Sequence, residues 1–239
     1  MVGKLTDLGN RRVLNEDYVD FYETKEYGIY AIADGMGGHN AGEVASKMTV
    51  NGVISFIKEN YNNIDDREIL KKAVESINET VYKYSLTEKE LQGMGTTLTA
   101  CYMTRDKIII SNVGDSSCLG VKSNNIVKIT KDHSLVQELK DLGSITEEQA
   151  KNHPKKNIIT RAIGTVRNVK VDIYDLNKDE YDFLILATDG LTNDVSIEEI
   201  LNIVNGASDY NEACNLLVNL AKERGGNDNI SVLIFRGEI

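Results

Sequence analysis

Apolar and polar positions along the chain follow two periods. Runs rich in β-branched and aromatic residues, YGIYAIAD (27–34), TTLTACYM (96–103), KIIISNVG (107–114), YDFLILAT (181–188) and NISVLIF (229–235), predict strands. A further alternating segment, YVDFYE, follows Asp17. Thr104-Arg105-Asp106 suits a hairpin between the second and third runs, and Ser123-Asn124-Asn125 suits another between CLGV and IVKI. Short turns between neighbouring strands predict antiparallel pairing and argue against a doubly wound parallel sheet.

Helical spacing takes over at 41–60, where Val44, Met48, Val53, Ile54 and Ile57 can share a face, and at 66–85. Further helices are expected at 133–141, 146–151, 196–204 and 209–224. Two long helices early, two late and strands between predict an α+β domain whose helices pack outside stacked antiparallel sheets.

Composition narrows this picture. The chain has 239 residues, enough for one substantial core, and it shows no repeat, low-complexity tract or Pro-rich linker, so a single domain over 1–239 is expected. A formal charge of −10 argues against nucleic acid or an anionic membrane as a general partner, since both are bound through Lys and Arg clusters. An anionic substrate would need a recruited cation. The opening MVGKLTDLGNRR has no apolar signal core and no run approaches a membrane span, so a cytoplasmic location is expected. Cys101, Cys118 and Cys214 sit among apolar neighbours and read as buried free thiols. His39, His133 and His153 are too scattered to join them in a zinc site.

Four acids share one arrangement, an apolar strand running into Asp beside Gly or Asn: Asp34, Asp115, Asp189 and Asp228. Each alone is an ordinary turn signal, and that reading stays open for any one of them. A fifth acidic cluster is Asn15-Glu16-Asp17. If these strand ends converge, the carboxylates repel one another and resist ionisation until a divalent cation relieves them. Oxygen donors without Cys or His favour Mg²⁺ or Mn²⁺, and two such ions would hold a phosphate and activate water. Arg11 and Arg12 precede the fifth cluster. Guanidinium suits phosphate, although an N-terminal Arg pair taken alone reads as solvated charge. No dinucleotide fingerprint, P-loop, nucleophile elbow or EF-hand loop is present.

Eight stretches, in order, resemble the metal-dependent (PPM, or type 2C) serine/threonine protein phosphatases in their compact bacterial form. They are TDLGNRRVLNED, AIADGMGGHNAGEVAS, MGTTLTA, NVGDSS, ITKDHSLVQEL, ITEEQAKNHPKKNIITRAIG, LILATDGLTNDV and GGNDNISVLIF. The resemblance implies a four-layer α-β-β-α sandwich, two antiparallel sheets flanked by helix pairs. It implies hydrolysis of phosphoserine and phosphothreonine in proteins by a metal-activated water, with no phosphoenzyme, opposing a bacterial Ser/Thr kinase. Two or more Mn²⁺ or Mg²⁺ ions are implied. Asp34 would bridge two of them with the Gly35 carbonyl on one, Asp189 and Asp228 would hold the other of the pair, and Asp115 would serve an outer ion. Glu16 and Asp17 match acids that act mainly through bound water.

Arg12, rather than Arg11, falls at the family's phosphate-binding position, with two residues between it and Gly9 and two between it and Asn15. Met36 stands where animal-type relatives carry a histidine, so His39 becomes the candidate for proton transfer on the substrate side, with metal-bound water as the alternative. Residues 134–158 match the family's flap, whose Lys151, Lys155 and Lys156 could contact a phosphopeptide or remain solvated, while His133 and His153 would support structure. Two departures are Ser117, where the family commonly has arginine in G-D-S-R, and Thr188 in place of a frequent serine. A non-hydrolysing adaptor would be marked by loss of a core acid, and none is lost. A phosphatase specialised for an anti-sigma-factor antagonist is the remaining alternative.

Overall fold

The structure, a computed structural model, describes residues 1–37 and 41–237. Strands β1 (Val2–Asp7), β2 (Asp17–Glu23) and β3 (Tyr27–Met36) lead into helices α1 (Gly42–Asn60) and α2 (Asp66–Ser85). Strands β4 (Gly95–Thr96), β5 (Leu98–Thr104), β6 (Lys107–Val113), β7 (Ser117–Lys122) and β8 (Asn125–Lys128) follow, then the short helices α3 (Leu135–Asp141) and α4 (Glu147–Lys151). The chain continues through β9 (Asp172–Asn177), β10 (Phe183–Ala187), α5 (Asp189–Thr192), α6 (Ile197–Gly206) and α7 (Tyr210–Glu223) to β11 (Ile230–Phe235).

One sheet runs β1-β11-β10-β7-β8 and the other β2-β3-β5-β6-β9, with β4 paired to β3; every pairing among these strands is antiparallel. Three apolar clusters make the four layers. Ile29, Ala31 and Ala33 of β3 pack with Val53 and Ile57 of α1 and Leu70 of α2. Leu119, Ile185 and Val232 pack with Ile200 of α6 and Leu217 of α7. Between the sheets lie Tyr30, Ile32, Cys101, Leu186 and Phe235. The runs that read as strands are apolar at nearly every position because both faces of these central strands are covered. The expected α-β-β-α sandwich is therefore the observed fold, and both expected hairpins form, β5–β6 and β7–β8.

The elements that were not expected include two edge strands and a one-turn helix. The strands β1 and β9 lie at sheet edges, where polar residues such as Lys4, Thr6 and Asp175 break the apolar signal. Helix α5 is a single turn opening at Asp189. On α1, small and polar residues complete the buried face: Ala45, Ser46, Thr49 and Val50 are buried with Val53, Ile54 and Ile57, whereas Val44 and Met48 are only half-buried. The three cysteines are free and buried, as expected. Among the described residues no helix is long and apolar enough to cross a membrane.

The 134–158 segment folds as α3 and α4 and is fastened at both ends. Leu135 N–H donates to the Ile158 carbonyl at 2.9 Å, and Thr160 N–H donates to the His133 carbonyl at 2.8 Å. Lys151, Lys155 and Lys156 are all exposed on it.

Candidate active site

Antiparallel register brings the first two acids together, since Asp17 on β2 sits opposite Asp34 on β3. The Asp34 backbone is clamped on three sides. Its N–H donates to Thr97 Oγ1 at 2.8 Å, and its carbonyl accepts from Thr97 N–H and Thr96 Oγ1, each at 2.9 Å. Next in the chain, Gly35 N–H donates to the Glu16 carbonyl at 3.1 Å. A Cβ at Gly35 would overlap the Gly42 carbonyl and lie 2.6 Å from the Glu16 carbonyl oxygen, so only glycine allows β2, β3 and the start of α1 to meet here.

The other sheet supplies Asp189 after β10 and Asp228 before β11, and Asp115 sits where the chain crosses from β6 to β7. Asp17 is buried, and its Oδ2 accepts from Thr188 Oγ1 at 2.9 Å and Ser231 Oγ at 2.7 Å, while its Oδ1 has no partner. The hydroxyl at Thr188 is what the site uses, which explains why threonine can stand where serine is frequent. Asp189 opens α5; its Oδ2 accepts from Asn193 Nδ2 at 3.0 Å and its Oδ1 is unpartnered. Asp115, between β6 and β7, also has an unpartnered, buried Oδ1. Ser117, at the position of the missing arginine, opens β7 opposite Ala187 and is buried. Asp228 Oδ2 accepts from Arg12 Nη2 at 2.9 Å, and its Oδ1 accepts from Asn229 N–H at 2.8 Å.

Crowding shows in the acid–base balance of the cluster. Burial pushes Asp17 up to about 7 against the hydrogen bonds from Ser231 and Thr188, and Asp189 and Asp228 raise it further. Burial and then Asp17, Asp189, Asp115 and Asp228 hold Asp34 well above the usual carboxylate range. Asp115 is pushed up to about 8 by burial, then by Asp189 and Asp132. Asp189 is raised by burial and by Asp228, and Glu16 by burial, with Arg12 opposing. Acids that raise one another's pKa lie within electrostatic reach of one another. The strand ends do converge.

The structure brings Asp17, Asp34, Asp115, Asp189 and Asp228 into mutual electrostatic reach, with Glu16 beside them and Arg12 on Asp228. Among the described residues no group of three or more His, Cys, Asp or Glu side chains is arranged so that it could hold a metal ion as it stands. The donor chemistry nonetheless fits a hard divalent cation: three buried carboxylate oxygens, on Asp17, Asp115 and Asp189, lack any hydrogen-bond partner among the described residues. His39 lies outside the described residues. Met36 is half-buried at the end of β3, across the register from Gly95.

Sequence reasoning missed the polar clamps. Asn229 is the principal one: its Oδ1 accepts from Glu16 N–H at 2.8 Å, and its Nδ2 donates to the carbonyls of Leu8 and Leu14, each at 3.0 Å. Thr96 and Thr97 clamp Asp34. Their only sequence signal is their place inside GGNDN and MGTTLTA. Glu43, in the first turn of α1, adds a buried unpartnered Oε2 and a negative charge near Glu16.

The buried His133 takes a supporting place. Its Nδ1 accepts from Gly114 N–H at 3.1 Å, which leaves the proton on Nε2 to face Asp172 Oδ2 at 3.1 Å. Burial lowers its pKa, so the neutral ring braces the turn that carries Asp115. His153 Nδ1 accepts from Lys155 N–H at 3.1 Å, a contact within its own loop.

Comparison with known proteins agrees with this arrangement. A family model described as "Protein phosphatase 2C" matches residues 10–230. The chain is 40% identical over 233 residues to the serine/threonine phosphatase stp of Listeria welshimeri, covering 96% of this chain and 92% of that one. It is 35% identical over 236 residues to protein phosphatase PhpP of Streptococcus pneumoniae, covering 98% and 96%. Among solved structures, a bacterial serine phosphatase superposes with a TM-score of 0.92 at 34% identity, covering 99% of this chain and 97% of that one. The serine/threonine phosphatase Stp1 of Staphylococcus aureus gives a TM-score of 0.90 at 34% identity, covering 98% and 93%. Fold, acid order along the strands and near full-length similarity lead to one assignment, and the chain belongs to the protein phosphatase 2C family.

Proposed function

We propose that this protein serine/threonine phosphatase hydrolyses phosphoserine and phosphothreonine with two or more Mn²⁺ or Mg²⁺ ions, and that Asp34, Asp189 and Asp228 hold the central pair. The observation that carries this reading is the set of buried carboxylate oxygens on Asp17, Asp115 and Asp189 without a partner among the described residues, in a cluster where Asp17, Asp34, Asp115 and Asp189 resist ionisation. Divalent ions bound there would activate a water for in-line attack on phosphorus and offset charge on the phosphoryl oxygens.

The chain's own residues do the rest. Asp34, with its backbone fixed by Thr96 and Thr97, is held at the centre of the cluster, and the Gly35 carbonyl follows it as a further oxygen donor. Asp115 serves an outer position, braced through Gly114 by His133. Glu16 and Asp17 orient water around the ions, Asp17 being fixed by Thr188 and Ser231. Arg12 is exposed at the mouth of the cluster and orients the phosphate through its guanidinium fork. His39 is the candidate donor of a proton to the departing serine or threonine oxygen, with solvent as the alternative.

The substrates are phosphoproteins and the opposing enzyme is a cognate, membrane-anchored Ser/Thr kinase, with the phosphatase itself working in the cytoplasm. The relatives named stp and PhpP are themselves phosphatases, which supports this reading. Lys151, Lys155 and Lys156 on the 134–158 segment offer positive charge to the phosphopeptide. The test is turnover of p-nitrophenyl phosphate and of a phosphothreonine peptide with Mn²⁺ and with EDTA. Metal-dependent release of phosphate is expected, and its absence across Mn²⁺ and Mg²⁺ would overturn the proposal.

A further inference from the structure

Thr6 is an exposed threonine on the edge strand β1, where a solvated side chain is the ordinary reading. Its hydroxyl is instead engaged on both sides. The β1–β11 register sets Thr6 opposite Ser231, and Ser231 Oγ lies 2.7 Å from Thr6 Oγ1 and 2.7 Å from Asp17 Oδ2. Asn15 Nδ2 donates to the same Thr6 oxygen at 2.9 Å, while Asn15 Oδ1 accepts from Asp17 N–H at 3.1 Å. Asn15, Thr6 and Ser231 therefore close a ring that leaves the Asp17 backbone and returns to its carboxylate.

Counting hydrogens gives the ring one direction. A backbone N–H can only donate, so it fixes the Asn15 carboxamide with its oxygen toward Asp17 and its NH2 toward Thr6. Thr6 Oγ1 accepts from that amide, and its own hydrogen turns to Ser231 Oγ. The single hydrogen of Ser231 is then left for Asp17 Oδ2, which as an ionised carboxylate oxygen can only accept. Thr188 completes the arrangement: its Oγ1 accepts from Ser231 N–H at 3.0 Å and donates to the same Oδ2 at 2.9 Å. Two hydroxyls hold Oδ2, so Oδ1, without a partner among the described residues, is the oxygen open to a cation or its water.

We propose that Thr6 and Asn15 are positioning residues for the metal centre: through Ser231 they direct hydrogen to one oxygen of Asp17 and reserve the other for the ions or their water. The proposal rests on the reading of the acidic cluster as a Mn²⁺ or Mg²⁺ site. Without the Thr6 hydroxyl, the Asn15 amide loses its acceptor and Ser231 loses the donor that commits its own hydrogen to Asp17. One hydrogen bond of this kind corresponds to roughly threefold to tenfold in a binding constant.

Because Thr6 is exposed and valine suits a strand equally well, Thr6→Val removes the hydroxyl without opening a cavity. The unaltered chain, Thr6→Val, Thr6→Ser, Asn15→Ala and the Thr6→Val/Asn15→Ala pair are titrated with Mn²⁺ by calorimetry, and KM for p-nitrophenyl phosphate is measured at saturating Mn²⁺. Thr6→Val is expected to weaken Mn²⁺ binding by roughly threefold to tenfold while KM changes less than about twofold. Thr6→Ser, which keeps the hydroxyl, is expected to bind Mn²⁺ as the unaltered chain does. The pair should bind no more weakly than Asn15→Ala alone, because both residues act along one ring. A merely structural threonine would lower Tm in EDTA and leave Mn²⁺ binding unchanged, and that result overturns the proposal. A Thr6→Ser variant as weak as Thr6→Val, or losses that add in the pair, overturn it too; each of these results leaves the phosphatase reading standing. An unaltered chain that binds neither Mn²⁺ nor Mg²⁺ overturns the metal reading and the proposal together.

Discussion

Replacing Asp17 by asparagine should stabilise the metal-free protein at alkaline pH, although it removes an acid from the site. Asp17 is 6% exposed, faces Asp34 across the β2–β3 register and leaves its Oδ1 without a partner. Its carboxyl is pushed up to about 7 from the ordinary 3.8, first by burial. Below about pH 4 the carboxyl is protonated in both folded and unfolded chains. Between about 4 and 7 the folded state keeps a proton that the unfolded chain has released, so stability falls as pH rises through this window. A gap of about three pH units at about 1.4 kcal/mol each gives a ceiling of ~4 kcal/mol above pH 7.

Asp34 and Asp189 share part of that repulsion, so the expected gain for Asp17→Asn is about 2–4 kcal/mol at pH 8 in EDTA, shrinking toward zero at pH 4. The asparagine carbonyl can still accept from Thr188 and Ser231, so the gain is not cancelled by lost hydrogen bonds. For a chain of this length it corresponds to roughly 4–16 °C in Tm. Thermal unfolding in EDTA at pH 4 and pH 8 measures both values. Excess Mn²⁺ should raise the Tm of the unaltered chain more than that of the variant, narrowing the gap, because the cation relieves the same repulsion. A variant less stable than the parent at pH 8, or a difference of equal size at both pH values, would refute the reasoning.

Three further outcomes are expected. Asp34→Asn or Asp189→Asn should lower Mn²⁺-dependent kcat on p-nitrophenyl phosphate on the order of a thousandfold or more, because each removes charge from the centre of the cluster. Arg12→Ala should raise KM for a phosphopeptide by roughly tenfold to a hundredfold, the value of charge-assisted hydrogen bonds to phosphate; an unchanged KM counts against its role. Gly35→Ala should cost about 3 kcal/mol or more, read as a lower urea midpoint, since its Cβ meets backbone on both sides and neither neighbour can move freely.

The layered sandwich was legible in the sequence because its central strands are apolar on both faces and their hairpins are short. Edge strands β1 and β9 were not, since an edge mixes the polar residues of a solvated surface with a half-buried face. The aspartates were legible as strand-end acids, and the structure brings them together as that pattern suggested. The clamps that aim them were not. Asn229, Thr97 and Ser231 act through hydrogen bonds across the fold to Leu8, Asp34 and Asp17, and no local periodicity records such a partner. The face of α1 was partly misjudged for a related reason: Ala45, Ser46 and Thr49 pack tightly because they are small, and hydrophobic spacing gives them little weight.

The site is assembled from opposite ends of the chain. Arg12 meets Asp228, Asp17 depends on Ser231, and β1 pairs with β11 from Val2 to Asp7. During synthesis, most of the sheet carrying β3, β5 and β6 can pair while the last strand is still unmade, but the acids cannot gather and Arg12 has no partner. Activity therefore switches on only after β11 has left the ribosome and threaded between β1 and β10. A growing polypeptide of this kind is a silent enzyme until β11 has been made and has paired.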